Sequence, residues 1–444
     1  MIFVVSTGMS LRLFFLLGVS AGIAGAAEPT FSRDVAPILY KHCVACHREG
    51  DIAPMSLLTY KEARPWAAAI RQAVLARKMP PWKADPRYGE WSNDPRLSAA
   101  DIATIKAWAD GTKPEGDPKQ MPAAPDFHDG WKIGKPDLVL SIPQQKLEAT
   151  GPDGYVYIDI PTNFKEDRWV VATELRPGNR KVVHHAHVFV KEDSGKKAVE
   201  AKDPVSEYAK WLIVTEGTLQ WMRPEAPVID NGCAVDGNGF VPGRKVTAMG
   251  NLLSSYLPGR DAEAFPEGTA RKIPAGATLN FQIHYARTTG KPETDATSVG
   301  LIFAKQPPQR VLYYTYLSNQ MFRIPAGDPD HQVTDCHTID KDLQVMSLTP
   351  HMHLRGKAMR YIAHYPDGRV ETLLYVPAYN FNWQFTYHAK EPIRLPKGTR
   401  IEVIGEFDNS ANNPLNPDPS KVIRWGAASE MEMMDGWMEY VETR

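Results

Sequence analysis

Long apolar runs and cysteines are both scarce in this 444-residue chain, which has four cysteines in all. Apart from Leu13-Phe-Phe-Leu-Leu-Gly-Val19, no stretch approaches the roughly 20 apolar residues that a spanning helix needs. That argues against a stable membrane span. An excess of one charge is missing too. Against 51 Lys and Arg stand 52 Asp and Glu, a net charge of −1, so no nucleic acid or acidic membrane is indicated as a partner. Extended helical periodicity is lacking after about residue 116. What remains is ordinary for a soluble globular protein, with 43% hydrophobic and 23% charged residues, and a length that suits about three domains.

The N-terminus reads as a secretory signal over residues 1–26. Arg12 precedes the apolar run, Ala24-Gly25-Ala26 fits small-residue cleavage, and Met9 is a candidate start. A periplasmic or secreted location follows. In such an oxidising compartment Cys233 and Cys336 are expected to pair, because Cys43 and Cys46 have another use.

That use is the run Cys43-Val-Ala-Cys46-His47, the pattern of covalent c-type haem attachment. Two thiols take the porphyrin vinyl groups and His47 takes the iron. Met79, in Arg77-Lys-Met-Pro-Pro-Trp82, is the preferred sixth ligand, with Met55 as competitor. Residues 28–116 are expected to form a small all-α cytochrome c domain. Ser98-Ala-Ala-Asp101 reads as a helix start, Ile102, Ile105 and Trp108 follow at helical spacing, and Gly111 ends the run. Residues 117–136 read as a linker rich in Pro, Gly and Lys.

Beyond the linker, short β-branched or alternating runs such as Tyr155-Val-Tyr-Ile-Asp-Ile160 predict all-β sandwiches over 137–308 and 309–444. Lys272–Ala286 and Arg394–Asp408 form a weak internal repeat. Each half carries a histidine cluster, His184-His185-Ala186-His187 in the first and His351-Met352-His353 in the second. Histidines one residue apart on a strand share a face. By alternation alone His185 would therefore pair with His187, and pairing His184 with His185 needs a bulge. The run Glu430-Met-Glu-Met-Met434 adds thioethers, and imidazole with thioether favours copper, the soft sulfur suiting Cu(I).

Four pieces in order, namely His184-His185, His284 in Gln282-Ile-His-Tyr285, His351-x-His353-x-x-Gly356-Lys357 and Glu432-Met433, make residues 130–444 resemble the type II copper, ascorbate-dependent monooxygenases. These include the peptidylglycine α-hydroxylating and dopamine β-type enzymes. The resemblance implies two jelly-roll sandwiches with one mononuclear copper each. His184, His185 and His284 would hold an electron-transfer copper. His351, His353 and Met433 would hold an oxygen-activating copper, with His187, Met431 and Met434 as neighbouring alternatives. Peptide-hydroxylating relatives carry an arginine where this chain has Thr349, so the substrate is expected to be a small molecule without a free peptide carboxylate. The expectation is an O2-dependent monooxygenase that hydroxylates a C–H bond, its electrons supplied by an external reductant or redox partner via haem c and the other copper. An electron-transfer protein without oxygenase activity and a copper-binding module are the alternatives. Substrate-dependent oxygen consumption separates the first from the other two.

Overall fold

A computed structural model describes residues 28–444 except 50–52, 126, 128–129, 152–153, 192–211, 216–217, 222–227, 229, 234–251, 258–261, 287–288, 427 and 444. The expected signal segment lies outside the described residues. The expected architecture, an all-α cytochrome c domain followed by two jelly rolls, does not form. The chain is mostly β, and its helices are short: Ala36–His42, Tyr60–Ala63, Ala67–Leu75 and Ala99–Asp110. Local signals for them are sound. Ser98 accepts from the Asp101 backbone and Asp101 returns the bond, a capping box. Ile105 and Trp108 face a small core with Phe31, Leu39 and Ile70.

This N-terminal unit is not a self-contained domain, because part of it is spent elsewhere. After the helix Ala67–Leu75 the chain leaves, and Trp82, Ala84 and Trp91 enter the core of the C-terminal sheets. Trp82 lies 4.7 Å and Trp91 5.5 Å from Tyr387, ring to ring. The segment adds backbone bonds as it crosses. Asp85 donates to the Tyr375 carbonyl, Ser92 to that of His388, and Lys390 to that of Glu90. It then returns, since the Pro95 carbonyl meets His42 Nδ1 at 3.1 Å and Leu97 rejoins the N-terminal core. Residues 82–93 thus form a strap.

Four main sheets, of six, four, four and four strands, replace the two jelly rolls. Two share one core. The sheet holding Arg168–Arg176, Thr269–Ile273 and Ser298–Phe303 faces the one built from Gly154–Pro161, Thr278–Tyr285, Val183–Lys191 and Leu252–Tyr256. The other two share a second core. Tyr313–Ser318, Asp435–Glu442, Leu343–His351 and Tyr387–Leu395 face His331–Thr338, Arg400–Phe407, Gly356–His364 and Val370–Val376. The internal repeat is visible in both. Gly276 (φ +74°) and Gly398 (φ +89°) take left-handed turns, each before an inner strand, Thr278–Tyr285 or Arg400–Phe407. No helix among the described residues is long and apolar enough to cross a membrane.

Among the described residues, a buried ion pair and a disulfide are two of the links between the halves. Buried Arg271 donates to Glu439 at 2.6 Å and to the Leu252 carbonyl, crossing from the first sheet pair to the second. Cys233 and Cys336 form the expected disulfide, 103 residues apart in sequence. Closing so long a loop restricts the unfolded chain, so Cys336→Ser is expected to cost about 2–4 kcal/mol. Urea titrations with and without reductant check this. The wild type should lose that stability on reduction and the variant should not.

Candidate metal centre

His184 and His185 lie on the strand Val183–Lys191, beside His284 on Thr278–Tyr285. His284 faces His185, whereas the next residue, Tyr285, faces Val183. The skipped residue is His184, so the bulge that a His184–His185 pair requires is present at this step. It brings the ligand nitrogens of His184, His185 and His284 within 4.8 Å of one another. His185 and His284 are buried and His184 is half-buried. His187 is not in this group. Its Nδ1 meets Ser255 Oγ at 3.0 Å and its ring lies parallel to Trp437.

Tyr155 supports the trio from the neighbouring strand. Its ring stacks on His284 at 4.6 Å with 3° between planes, and its hydroxyl lies 3.2 Å from His185 Nε2. That nitrogen also lies 3.1 Å from His284 Nδ1, while His185 Nδ1 is buried with no hydrogen-bond partner among the described residues. Burial, then the adjacent histidines His284, His187 and His184, holds His185 well below the ordinary imidazole range. A neutral imidazole offers a lone pair, which is the ligand form.

His351 ends the strand Leu343–His351 and His353 follows it. Their rings are 5.2 Å apart and nearly perpendicular. His351 Nδ1 donates to Gln384 Oε1 at 2.6 Å, and His353 Nδ1 lies 3.3 Å from the Met431 carbonyl. Both contacts fix the tautomer and leave Nε2 as the lone-pair atom of each ring. Burial lowers the pKa of both, further for His353, which also feels His351. Glu432 organises the return of the chain. It is buried and accepts from the His353 and Arg355 backbones at 2.8 and 2.6 Å. Burial raises its pKa to about 8, opposed by those amides.

Among the three candidate sulfurs the geometry separates roles. Met434 is fully buried in the second core. Met431 packs on Gly426 and lends its carbonyl to His353. Met433 lines a cleft of about 220 Å³ that His351, His185 and His187 also line. Phe381 sits between the two clusters, 5.1 Å from the His184 ring and 5.9 Å from that of His353. Both histidine groups therefore border one space between the sheet pairs. Its walls include Tyr155, Tyr157, Tyr314, Tyr316 and Trp437, and Asp435 is its charged lining residue. Thr349 also lines it, with its hydroxyl turned to Thr386 at 2.8 Å.

Cys43 and Cys46 are thiols, in no disulfide. They and His47 occupy one turn after the helix Ala36–His42, with Cys46 and His47 both donating to the Cys43 carbonyl. Burial pushes the Cys43 thiol up to about 12 and lowers His47. Two thiols and an imidazole on a single turn are the donor set that covalent haem requires. Met55 packs on the N-terminal core together with Cys43; Met79 is half-buried at the start of the strap.

Of the supporting residues, Tyr155 acts from another strand and leaves no local sign. Gln384 lies in the aromatic run Tyr379–Tyr387, which reads from sequence as a pocket wall, and Glu432 is marked by its place before Met433.

No known family model matches this chain, and no curated protein does either. Solved structures give weak likenesses. One is a structure of PNGF-II, at 9% identity and TM-score 0.27, covering 69% of this chain; this chain spans less than two thirds, 65%, of that one. Another is the major capsid protein P2 of bacteriophage PM2, at 11% identity, 65% and 97% coverage and TM-score 0.24. A third is PBCV-1 Vp54, at 8% identity, 71% and 96% coverage and TM-score 0.23. Likenesses at this level carry no argument about fold or function.

Proposed function

We propose that the protein is an exported, copper- and haem-dependent monooxygenase that hydroxylates a C–H bond of a small molecule. The observation that carries this reading is the shared cleft. His185 of the three-imidazole group on one side, and His351 with Met433 on the other, border a single space walled by aromatic rings. His184, His185 and His284 would hold one copper, and His351, His353 and Met433 the other. Copper in such sites supplies one-electron chemistry with O2. The protein's share is positional: Gln384 and the Met431 carbonyl aim two imidazoles, Tyr155 steadies a third and fourth, and Phe381 separates the groups. Cys43, Cys46 and His47 would hold one covalent haem as the electron entry, drawing on an outside reductant or redox partner. The Cys233–Cys336 disulfide supports an oxidising, extracytoplasmic location.

The decisive experiment joins metal counting to turnover. Protein matured with haem-attachment machinery should keep haem on a denaturing gel and bind two coppers. With the haem pre-reduced, it should consume O2 only when a substrate from a neutral panel is present. A haem-free band, closed-site zinc with no copper uptake, or O2 use indifferent to every substrate would each sink the reading.

The cleft also sets a charge preference. Asp435 lines it, and neither Lys nor Arg does among the described residues. In the metal-free protein an anion entering there finds a carboxylate and no compensating cation, a costly arrangement away from water. A glycine-extended peptide or an aromatic carboxylate is therefore expected to bind at least about tenfold more weakly than its neutral amide, a difference of about 1.4 kcal/mol. Quenching of tryptophan fluorescence in metal-free protein checks this, since Trp437 and Trp425 line the cleft.

A further inference from the structure

The strap of residues 82–93 has no part in either metal group, yet it ends against the loop that holds one of them. Resting on the reading above, we propose that this strap is the electron route from the haem turn, and that it delivers to the His351–His353–Met433 site rather than to the His184–His185–His284 site. Three observations converge on this.

The strap is tied to the haem turn at its far end, where the Pro95 carbonyl meets His42, the residue before Cys43, and it begins three residues after Met79, the proposed sixth ligand. Its docking partners all lie in the second sheet pair. Asn93 Nδ2 donates to the Thr386 carbonyl at 2.8 Å, its Oδ1 accepts from the His388 backbone N–H at 3.1 Å, and Trp91 bridges Ala389. The contacts then step directly to a ligand. Trp82 packs 5.8 Å from Phe385 and 4.7 Å from Tyr387. Phe385 adjoins Gln384, which is buried and lies 2.6 Å from His351 Nδ1. Tyr387 pairs with Leu348 on the strand that ends in His351.

To reach His184 from the same point, an electron must continue past Gln384 to Phe381 and across a further 5.1 Å ring contact. Tunnelling weakens steeply with each through-space step, so the shorter chain of contacts wins. The transfer itself is simple. Haem held by Cys43, Cys46 and His47 would supply one electron on going from ferrous to ferric, and copper held by His351, His353 and Met433 would take it on going from cupric to cuprous, with no bond or proton moved.

The test is anaerobic flash reduction of the haem in copper-loaded full-length protein, following the ferrous absorption band as it decays. His351→Ala and His284→Ala each remove one acceptor. A fast decay should persist in His284→Ala and vanish in His351→Ala. In Trp82→Leu that still binds two coppers and one haem, it should slow by at least tenfold. The opposite pattern between the two histidine variants overturns the proposal, as does loss of the fast decay in both. An unchanged rate in Trp82→Leu overturns the route. Should Trp82→Leu fail to fold, the histidine pair decides alone. Failure of the underlying reading looks different: wild-type protein without bound haem or copper shows no fast decay to compare.

Discussion

Replacing Arg271 with alanine is expected to destabilise the protein by about 3–5 kcal/mol, a large fraction of the stability of a typical fold. Arg271 is 4% exposed and Glu439 2%, so the carboxylate left behind has no water to turn to. Glu439 also accepts from Ser347 Oγ at 2.6 Å, a bond too weak to offset an unpaired buried charge. Arg271 further lies over the Phe265 and Tyr314 rings, 4.6 and 5.6 Å from their centroids. Part of the loss is therefore packing. The control is Arg271→Met with Glu439→Gln, which removes both charges together and should recover much of the deficit. Equilibrium urea unfolding of the three proteins measures it. Because Tyr314 lines the cleft, the single variant should also weaken ligand binding there. A single variant as stable as wild type would mean that water reaches Glu439 after all.

His351→Ala should have the largest effect on chemistry. It should lower copper content from two to one per chain and abolish substrate-dependent O2 consumption, while His284→Ala removes the other copper. Met433→Leu should loosen Cu(I) more than Cu(II), since the thioether is the soft ligand. Gln384→Leu is the finer probe. It leaves every proposed ligand in place but strips His351 Nδ1 of its acceptor, and should weaken that copper by on the order of 10–100-fold. Copper titration followed by elemental analysis separates these outcomes. Copper content and affinity unchanged from wild type in all four variants would remove the assignment.

How much of this was legible beforehand differs by residue. Alternation placed His351 and His353 together, and they do adjoin, but His353 lies past the end of the strand, so the turn after His351 brings them together. His184 and His185 could not, because alternation favours His185 with His187 and only the bulge at His184 reverses that choice. A bulge depends on what the partner strand presents, here His284 and Tyr285, and leaves no local mark. The helices were readable from caps and spacing, but the separate cytochrome domain expected from them does not form. Whether Trp82 and Trp91 serve their own neighbourhood or a sheet some 300 residues away is decided by tertiary packing. Met433 was distinguishable from Met434 only by the acidic residue before it. In the structure that residue, Glu432, gathers the backbones of His353 and Arg355.

The strap also determines how the molecule can be taken apart. A fragment starting after Gly116 would keep every strand of the four main sheets but lose two tryptophans from the second core. Tyr387 would then face solvent where rings now cover it, leaving an apolar trough beside Tyr387–Leu395. The converse fragment would carry those tryptophans with nothing to bury them. The two parts are interlocked rather than strung in series. Trimming or swapping the N-terminal end as a cassette should yield aggregation on both sides of the cut, unless residues 82–93 travel with the β portion.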